Sequence, residues 1–199
     1  MVEPKTARGK GRKEAIISAA AALMYDRGVR GTGVEDVLAA SGAGKSQFYH
    51  YFSDKDDLVA SVLEHQLVAV LGELEEFRLD TWSGIRAWFD VLLEGQEQRR
   101  FKGCPVGSLA VELSAADADM RGRVDDAFSR LESALAEGLA SMKSSGALDR
   151  SARPAALAEA TLAAIQGGYL LSTVHQDIRP MRTALTSAYT QLRASRARE

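Results

Sequence analysis

Prolines stand only at positions 4, 105, 154 and 180 of this 199-residue chain, and apolar residues recur three and four apart rather than alternately. A proline inside a helix removes a hydrogen bond and clashes with the preceding turn, so helices are confined to the long intervals between these positions. Those intervals carry a period of 3.6. Ile16, Ala19, Ala20, Leu23 and Met24 form a first stripe, and Gly28 is placed to end it. In "TGVE", Thr32 and Glu35 have the spacing of a capping box, which opens a short helix with Val34, Val37 and Leu38 inward. "SDKD" repeats that signature with Ser53 and Asp56, predicting a long helix over about 54–78. Further on, Trp82, Ile85, Trp88, Phe89 and Leu92 share a face, "KGCPVG" interrupts, and "SLAVELSA" resumes briefly. A long helix marked by Met120, Val124, Phe128, Leu131, Leu135, Leu139 and Met142 stops near Gly146. Pro154 opens another, reaching about His175, and Pro180 opens the last, with Leu185, Tyr189 and Leu192 inward. No β-branched alternation and no internal repeat is found. The fold class is all-α, with about nine helices.

Between the two capping signatures lies "SGAGKSQFYHYF", residues 41–52. Ser41-Gly42-Ala43-Gly44 reads as a tight turn, and Lys45 to Tyr51 has room for two helical turns. Helix, turn and short helix within about twenty residues is the layout of a helix-turn-helix. Gly44-Lys45-Ser46 is also the ending of a nucleotide-phosphate loop. Such a loop needs a strand running into it so that backbone N–H groups and a helix dipole converge on phosphate. The residues before this turn have helical spacing, and the first glycine of the pattern is missing. On DNA the same residues fit better. Lys45, Ser46 and Gln47 occupy the first turn of a recognition helix, where glutamine pairs with adenine and lysine reaches guanine or phosphate. Phe48 and Phe52, four apart, point inward; Tyr49, His50 and Tyr51 lie toward the far end, where Tyr49 and His50 are expected to meet phosphate oxygens.

Charge distribution agrees. The chain has 25 basic and 27 acidic residues, yet residues 1–52 hold eight basic against five acidic ones. Five of those positives, Lys5, Arg8, Lys10, Arg12 and Lys13, fall in the first thirteen residues and predict a phosphate-neutralising arm. No run is long enough for a bilayer, and the basic N-terminus lacks the apolar stretch of a signal peptide. A single cysteine, Cys104, leaves no disulfide framework. The expectation is a cytoplasmic protein without membrane partner.

"GTGVEDVLAASGAGKSQFYHYFSDKDDLV" resembles the signature of the TetR family of transcriptional regulators over roughly residues 12–60. "GCPVGSLAVELS" resembles a segment found in a subset of that family. The resemblance implies an arm and helix-turn-helix domain over 1–58 and a helical ligand-binding and dimerisation domain over 59–199. It implies DNA contacts from Thr32, Lys45, Ser46, Gln47, Tyr49, His50 and Lys55. Three positions depart from the family pattern: Ser41 and Ala43 in the turn, and Gly44, where a serine or threonine usually caps the recognition helix. Glycine is a tolerable N-cap but offers no hydroxyl to phosphate.

The partners so implied are double-stranded DNA with a near-palindromic operator, a second copy of the chain, and a small-molecule effector. The dimer surface would come from the last two helices, where Ala156, Ala160, Ala163 and Gly167 make a small-residue stripe. The effector, apolar or aromatic, would release a repressor from its operator. Trp82, Trp88, Phe89, Phe101, Cys104, Met142, Tyr169 and His175 are the candidates to line its site. Cys104, near Arg99, Arg100 and Lys102, carries an alternative reading as a thiol that reports electrophiles or oxidants. His65 and His175 have no Cys, His or Asp cluster around them in sequence, so neither metal nor cofactor is expected, and no enzymatic role.

Overall fold

The computed structural model describes residue 4, residues 6–115 and residues 117–197. Lys5, one of the five arm positives, lies outside them. Nine helices are present among the described residues. In chain order they are α1 (Ala7–Arg27), α2 (Val34–Ser41), α3 (Lys45–Tyr51), α4 (Lys55–Glu75), α5 (Trp82–Gln98), α6 (Pro105–Ser114), α7 (Ala118–Ser144), α8 (Pro154–His175) and α9 (Arg179–Ala194). The all-α expectation holds; outside the helices, Leu148 and Arg196 form an isolated bridge.

The chain divides into two compact units. One comprises residues up to Ala69 together with Pro105–Ala127; the other comprises Val70–Cys104 and Phe128 onward. The expected division at 58/59 is linear. The structure instead places α6 and the start of α7 with the N-terminal helices, a discontinuity that local periodicity does not encode.

In the first unit, α1 is capped by Thr6, whose hydroxyl accepts from Gly9 N at 3.1 Å. Arg8, Lys10, Arg12 and Lys13 therefore lie within the helix rather than in an arm ahead of it. The buried face of α1 is Ile16, Ile17, Ala20, Ala21 and Met24. Ile17 and Ala21 take places expected for Ala19 and Leu23, so the buried arc of α1, which meets both α2 and α6, is rotated toward them.

Both predicted caps are displaced by one residue. Thr32 is buried and its hydroxyl donates to Gly28 O at 2.9 Å, closing the turn after α1. Gly33 is the N-cap of α2, and Asp36, not Glu35, reaches back to its N–H at 2.8 Å. At α4, Asp54 accepts from Asp57 N at 2.9 Å, and Asp57 accepts from Ser53 N at 3.1 Å. Ionised carboxylates make the stronger bonds to amides at a helix N-terminus, so Asp54 and Asp57 displace the Ser53–Asp56 pairing. The helix α4 ends at Glu75, short of the expected Arg78, where Phe77 N turns back to Leu74 O.

In the second unit, Thr81 caps α5 by accepting from Gly84 N at 3.1 Å. Its inward residues are Ile85, Phe89 and Gln96. α8 lies along α9, burying Leu157, Ala158, Leu162, Ile165 and Tyr169 on one side and Met181, Leu185, Ala188 and Leu192 on the other. The remaining core comes from Leu131, Leu135, Leu139 and Met142 of α7.

Candidate nucleic-acid interface

α2, the turn 42–44 and α3 make the predicted helix-turn-helix. Gly42 ends α2 with φ +66°, ψ +19°, a left-handed conformation that glycine adopts without strain. Ser41 tightens the turn, its hydroxyl accepting from Ala43 N at 3.3 Å. Gly44 is the N-cap of α3: its carbonyl accepts from Gln47 N at 2.9 Å, and its own N–H donates to Gln47 Oε1 at 3.3 Å. The side chain of Gln47 thus replaces part of the capping that a hydroxyl at 44 would supply.

From that start the helical period sorts the seven residues. Phe48 and Tyr51 turn inward with the following Phe52, at 0%, 8% and 1% exposure. The Phe48 and Phe52 rings lie 5.4 Å apart. Tyr51, grouped in the sequence reading with its polar neighbours at the far end of the helix, belongs to the core instead. Lys45, Ser46, Gln47, Tyr49 and His50 are all exposed. Lys45 approaches Glu35 of α2 at 3.5 Å, with both side chains mostly in solvent. Tyr49 packs the edge of its ring on Phe48 at 5.2 Å and keeps 54% exposure. Two large rings fix the helix while five polar side chains stand together on its outer face.

Two expected contacts are placed differently. Thr32 is 1% exposed, with its hydroxyl engaged inside the fold, so it offers no outward group to a nucleic acid. Lys55, half-buried in the first turn of α4, donates to Val29 O at 2.7 Å. At the start of α1, Arg8, Lys10 and Arg12 are exposed and no acidic residue occupies the first turn. Cations there oppose the helix dipole, an arrangement that an anionic partner would relieve.

The eight effector-site candidates differ in burial. Phe89, Cys104, Met142 and Tyr169 are buried; Trp82, Trp88 and Phe101 are half-buried; His175 is exposed at the end of α8. The rings of Trp82 and Phe89 each meet Tyr189, at 6.2 and 6.4 Å, with the guanidiniums of Arg86 and Arg193 over Tyr189 and Trp82. A cleft of about 860 Å³ between α8 and α9 takes in His175 with Gly167, Leu171, Arg179 and Thr183. A second, of about 850 Å³ in the first unit, has charged walls including Lys13, Glu14, Glu64, His65 and Asp126.

Gln96 is a functional candidate that the sequence pattern does not single out. This side chain is fully buried, donates to Ser172 Oγ at 2.8 Å and accepts from Gly103 N at 3.0 Å. It anchors a segment in which Arg100 and Phe101 both hold positive φ, at 53° and 58°. A glutamine within an otherwise apolar helix face was its only signal.

Apart from Glu159, the outward side of α8 is apolar. Ala156, Ala163 and Gly167 are exposed, continuing into Leu170, Leu171 and Val174 at 64%, 49% and 67%. No helix among the described residues is long and apolar enough to cross a membrane, and no three of their His, Cys, Asp or Glu side chains gather as a metal site.

A helix-turn-helix with a polar outer helix face, carried by an otherwise all-helical chain, defines a DNA-binding transcriptional regulator. Residues 16–62 match the family described as bacterial regulatory proteins, tetR family, and residues 82–187 match the LmrA/YxaF-like transcriptional regulator C-terminal domain. The chain belongs to the TetR family of transcriptional regulators. It is 33% identical over 183 residues to an HTH-type transcriptional regulator in the lacX 3′ region of Lactococcus lactis subsp. lactis, covering 87% of this chain and 89% of that one. It is 25% identical to the HTH-type transcriptional repressor NemR of Escherichia coli K12, over 87% of this chain and 89% of the relative. The fold of reduced E. coli NemR superposes with a TM-score of 0.78 at 24% identity, covering 89% of this chain and 95% of that chain.

Proposed function

We propose that this protein is a cytoplasmic, homodimeric repressor that grips a near-palindromic duplex and releases it when a small effector binds. The observation that carries the DNA-binding half is the outer face of α3, where Lys45, Ser46, Gln47, Tyr49 and His50 are exposed together over a buried Phe48–Phe52 anchor. In this reading Gln47 and Lys45 address base edges, while Ser46, Tyr49 and His50 hold phosphates. Arg8, Lys10 and Arg12 at the start of α1 add phosphate neutralisation. Thr32 and Lys55 act from within the fold and are not in the contact set. The exposed apolar side of α8 supports a two-fold dimer, which sets the recognition helices about 34 Å apart for successive major grooves.

We place the effector in the second unit. The Nε of Arg99 is buried without a partner atom, and the same side chain donates to Tyr169 Oη at 3.4 Å. An apolar or aromatic molecule carrying one acceptor group would satisfy that atom. Release follows if the effector favours the non-binding state by a few kcal/mol. The alternative of Cys104 as a reactive sensor has its burial against it, since sensor thiols are accessible. Nucleotide binding through Lys45 lacks the entering strand: α2 precedes the turn, and no strand occurs among the described residues.

Selection from a random duplex pool at low ionic strength tests the reading. The expected product is a two-fold symmetric site with half-sites about ten base pairs apart. Enrichment of no duplex, by a protein shown to be folded, would overturn it.

A further inference from the structure

Glu112 lies in the last turn of α6, and its carboxylate reaches across to the chain that follows α1. Oε1 accepts from Val29 N at 3.1 Å and Oε2 accepts from Arg30 N at 3.0 Å. The 83 residues separating Glu112 from Val29 make this a tertiary contact that no local pattern forecasts. Gly28 leaves the space for it: φ there is +78°, and a Cβ would stand 2.6 Å from Glu112 Oε1. The carbonyl of Val29 accepts from the ammonium of Lys55 at 2.7 Å. Two successive amides and one carbonyl of the α1–α2 connection are thus fixed by side chains from α6 and α4. A carboxylate near a helix C-terminus is disfavoured by the dipole, so Glu112 occupies a position whose local electrostatics oppose it. The paired amide bonds offset that penalty.

We infer that Glu112 is a positioning residue for operator binding: it fixes the segment leading into α2, and through it the register of the helix-turn-helix. Glu112 stands seven residues after Pro105, on the helix that begins immediately after Cys104, and is not among the residues assigned to DNA. Its effect on affinity is therefore indirect. Loosening the α1–α2 connection makes the recognition helix lose orientational freedom on binding that wild type has already given up.

This inference rests on the DNA-binding reading, and the experiment separates the two. The duplex selected by the wild-type chain is titrated with wild type, Glu112→Ala and Glu112→Gln, well below each melting temperature and at several salt concentrations. Amide exchange at Val29 and Arg30 is followed in parallel. Glu112→Ala is expected to weaken binding about tenfold at unchanged salt slope, since no phosphate contact is removed. Faster exchange at both amides accompanies the loss. Glu112→Gln keeps one acceptor oxygen and is expected to fall between, holding one amide; it carries the test alone if the alanine variant does not fold. Affinity equal to wild type in the folded variants overturns this inference and leaves the DNA-binding reading intact. Failure of wild type to select any duplex overturns both.

Discussion

The ammonium of Lys55 donates to the main-chain carbonyl of Val29 at 2.7 Å, joining the first turn of α4 to the segment between α1 and α2. The family resemblance implies a DNA contact from this lysine, and a cation in a first helical turn opposes the dipole, which a phosphate would relieve. The structure supplies an internal acceptor instead. Lys55→Met, which keeps the aliphatic stem, is expected to cost about 1–2 kcal/mol of stability in urea unfolding, the value of a hydrogen bond to a charged group. Operator affinity should fall with no change in its salt dependence. A slope shallower by about one unit would return Lys55 to the phosphate contacts.

Gln47 has two tasks, and they can be separated. Its Oε1 accepts from Gly44 N, capping α3, while its exposed amide is free to read a base edge. Gln47→Glu preserves the acceptor and adds a negative charge where the dipole welcomes it, so thermal stability should hold or rise slightly. The same charge faces the duplex, and operator binding should drop by more than tenfold. Retained affinity in this variant would place Gln47 outside the interface.

Tyr49 and Phe52 test the two faces of one helix. Tyr49→Phe removes only an exposed hydroxyl and is expected to leave the melting temperature unchanged while weakening operator binding by about 1 kcal/mol. Phe52→Ala empties a site that is 1% exposed and is expected to cost about 3–5 kcal/mol of stability. A Tyr49→Phe titration superimposable on wild type at every salt concentration would remove that hydroxyl from the contacts.

The recognition helix was legible because every signal for it is local. The turn glycines, the Phe48–Phe52 spacing and the polar first turn all lie within twelve residues, and the structure reproduces them. Caps were legible only to within one residue, since Thr32 and Ser53 could not be seen losing the cap position to Gly33 and Asp54 without their geometry. The basic arm looks separate from the first helix because the apolar stripe begins only at Ile16; Thr6 starts α1 ahead of Arg8, Lys10, Arg12 and Lys13. Burial of Phe89 and Met142 followed from period, but period says which face is inward and not whether a space lies behind it. Glu112 was invisible, its partners being on another helix's exit. Contacts made at long sequence separation are where sequence patterns run out.

Asp177 supplies a pH dependence at the start of α9. Its Oδ1 accepts from Arg179 N at 2.9 Å and its Oδ2 from Arg179 Nε at 2.6 Å. The backbone N–H of Arg179, followed by its guanidinium, holds this carboxyl below the ordinary value of 3.8. A depressed folded-state pKa means that the carboxylate stabilises the fold above the unfolded value, and that the contribution disappears as pH falls through the folded one. Asp177→Asn should therefore melt below wild type at neutral pH. The two curves should converge once the solution is acidic enough to protonate Asp177 in both states. Asp177 is only half-buried and its Arg179 partner is exposed, so the neutral-pH gap should be small and should shrink in high salt. Melting temperatures of both proteins across the acid limb check this, and a gap that stays constant with pH would show that ionisation of Asp177 is not its cause.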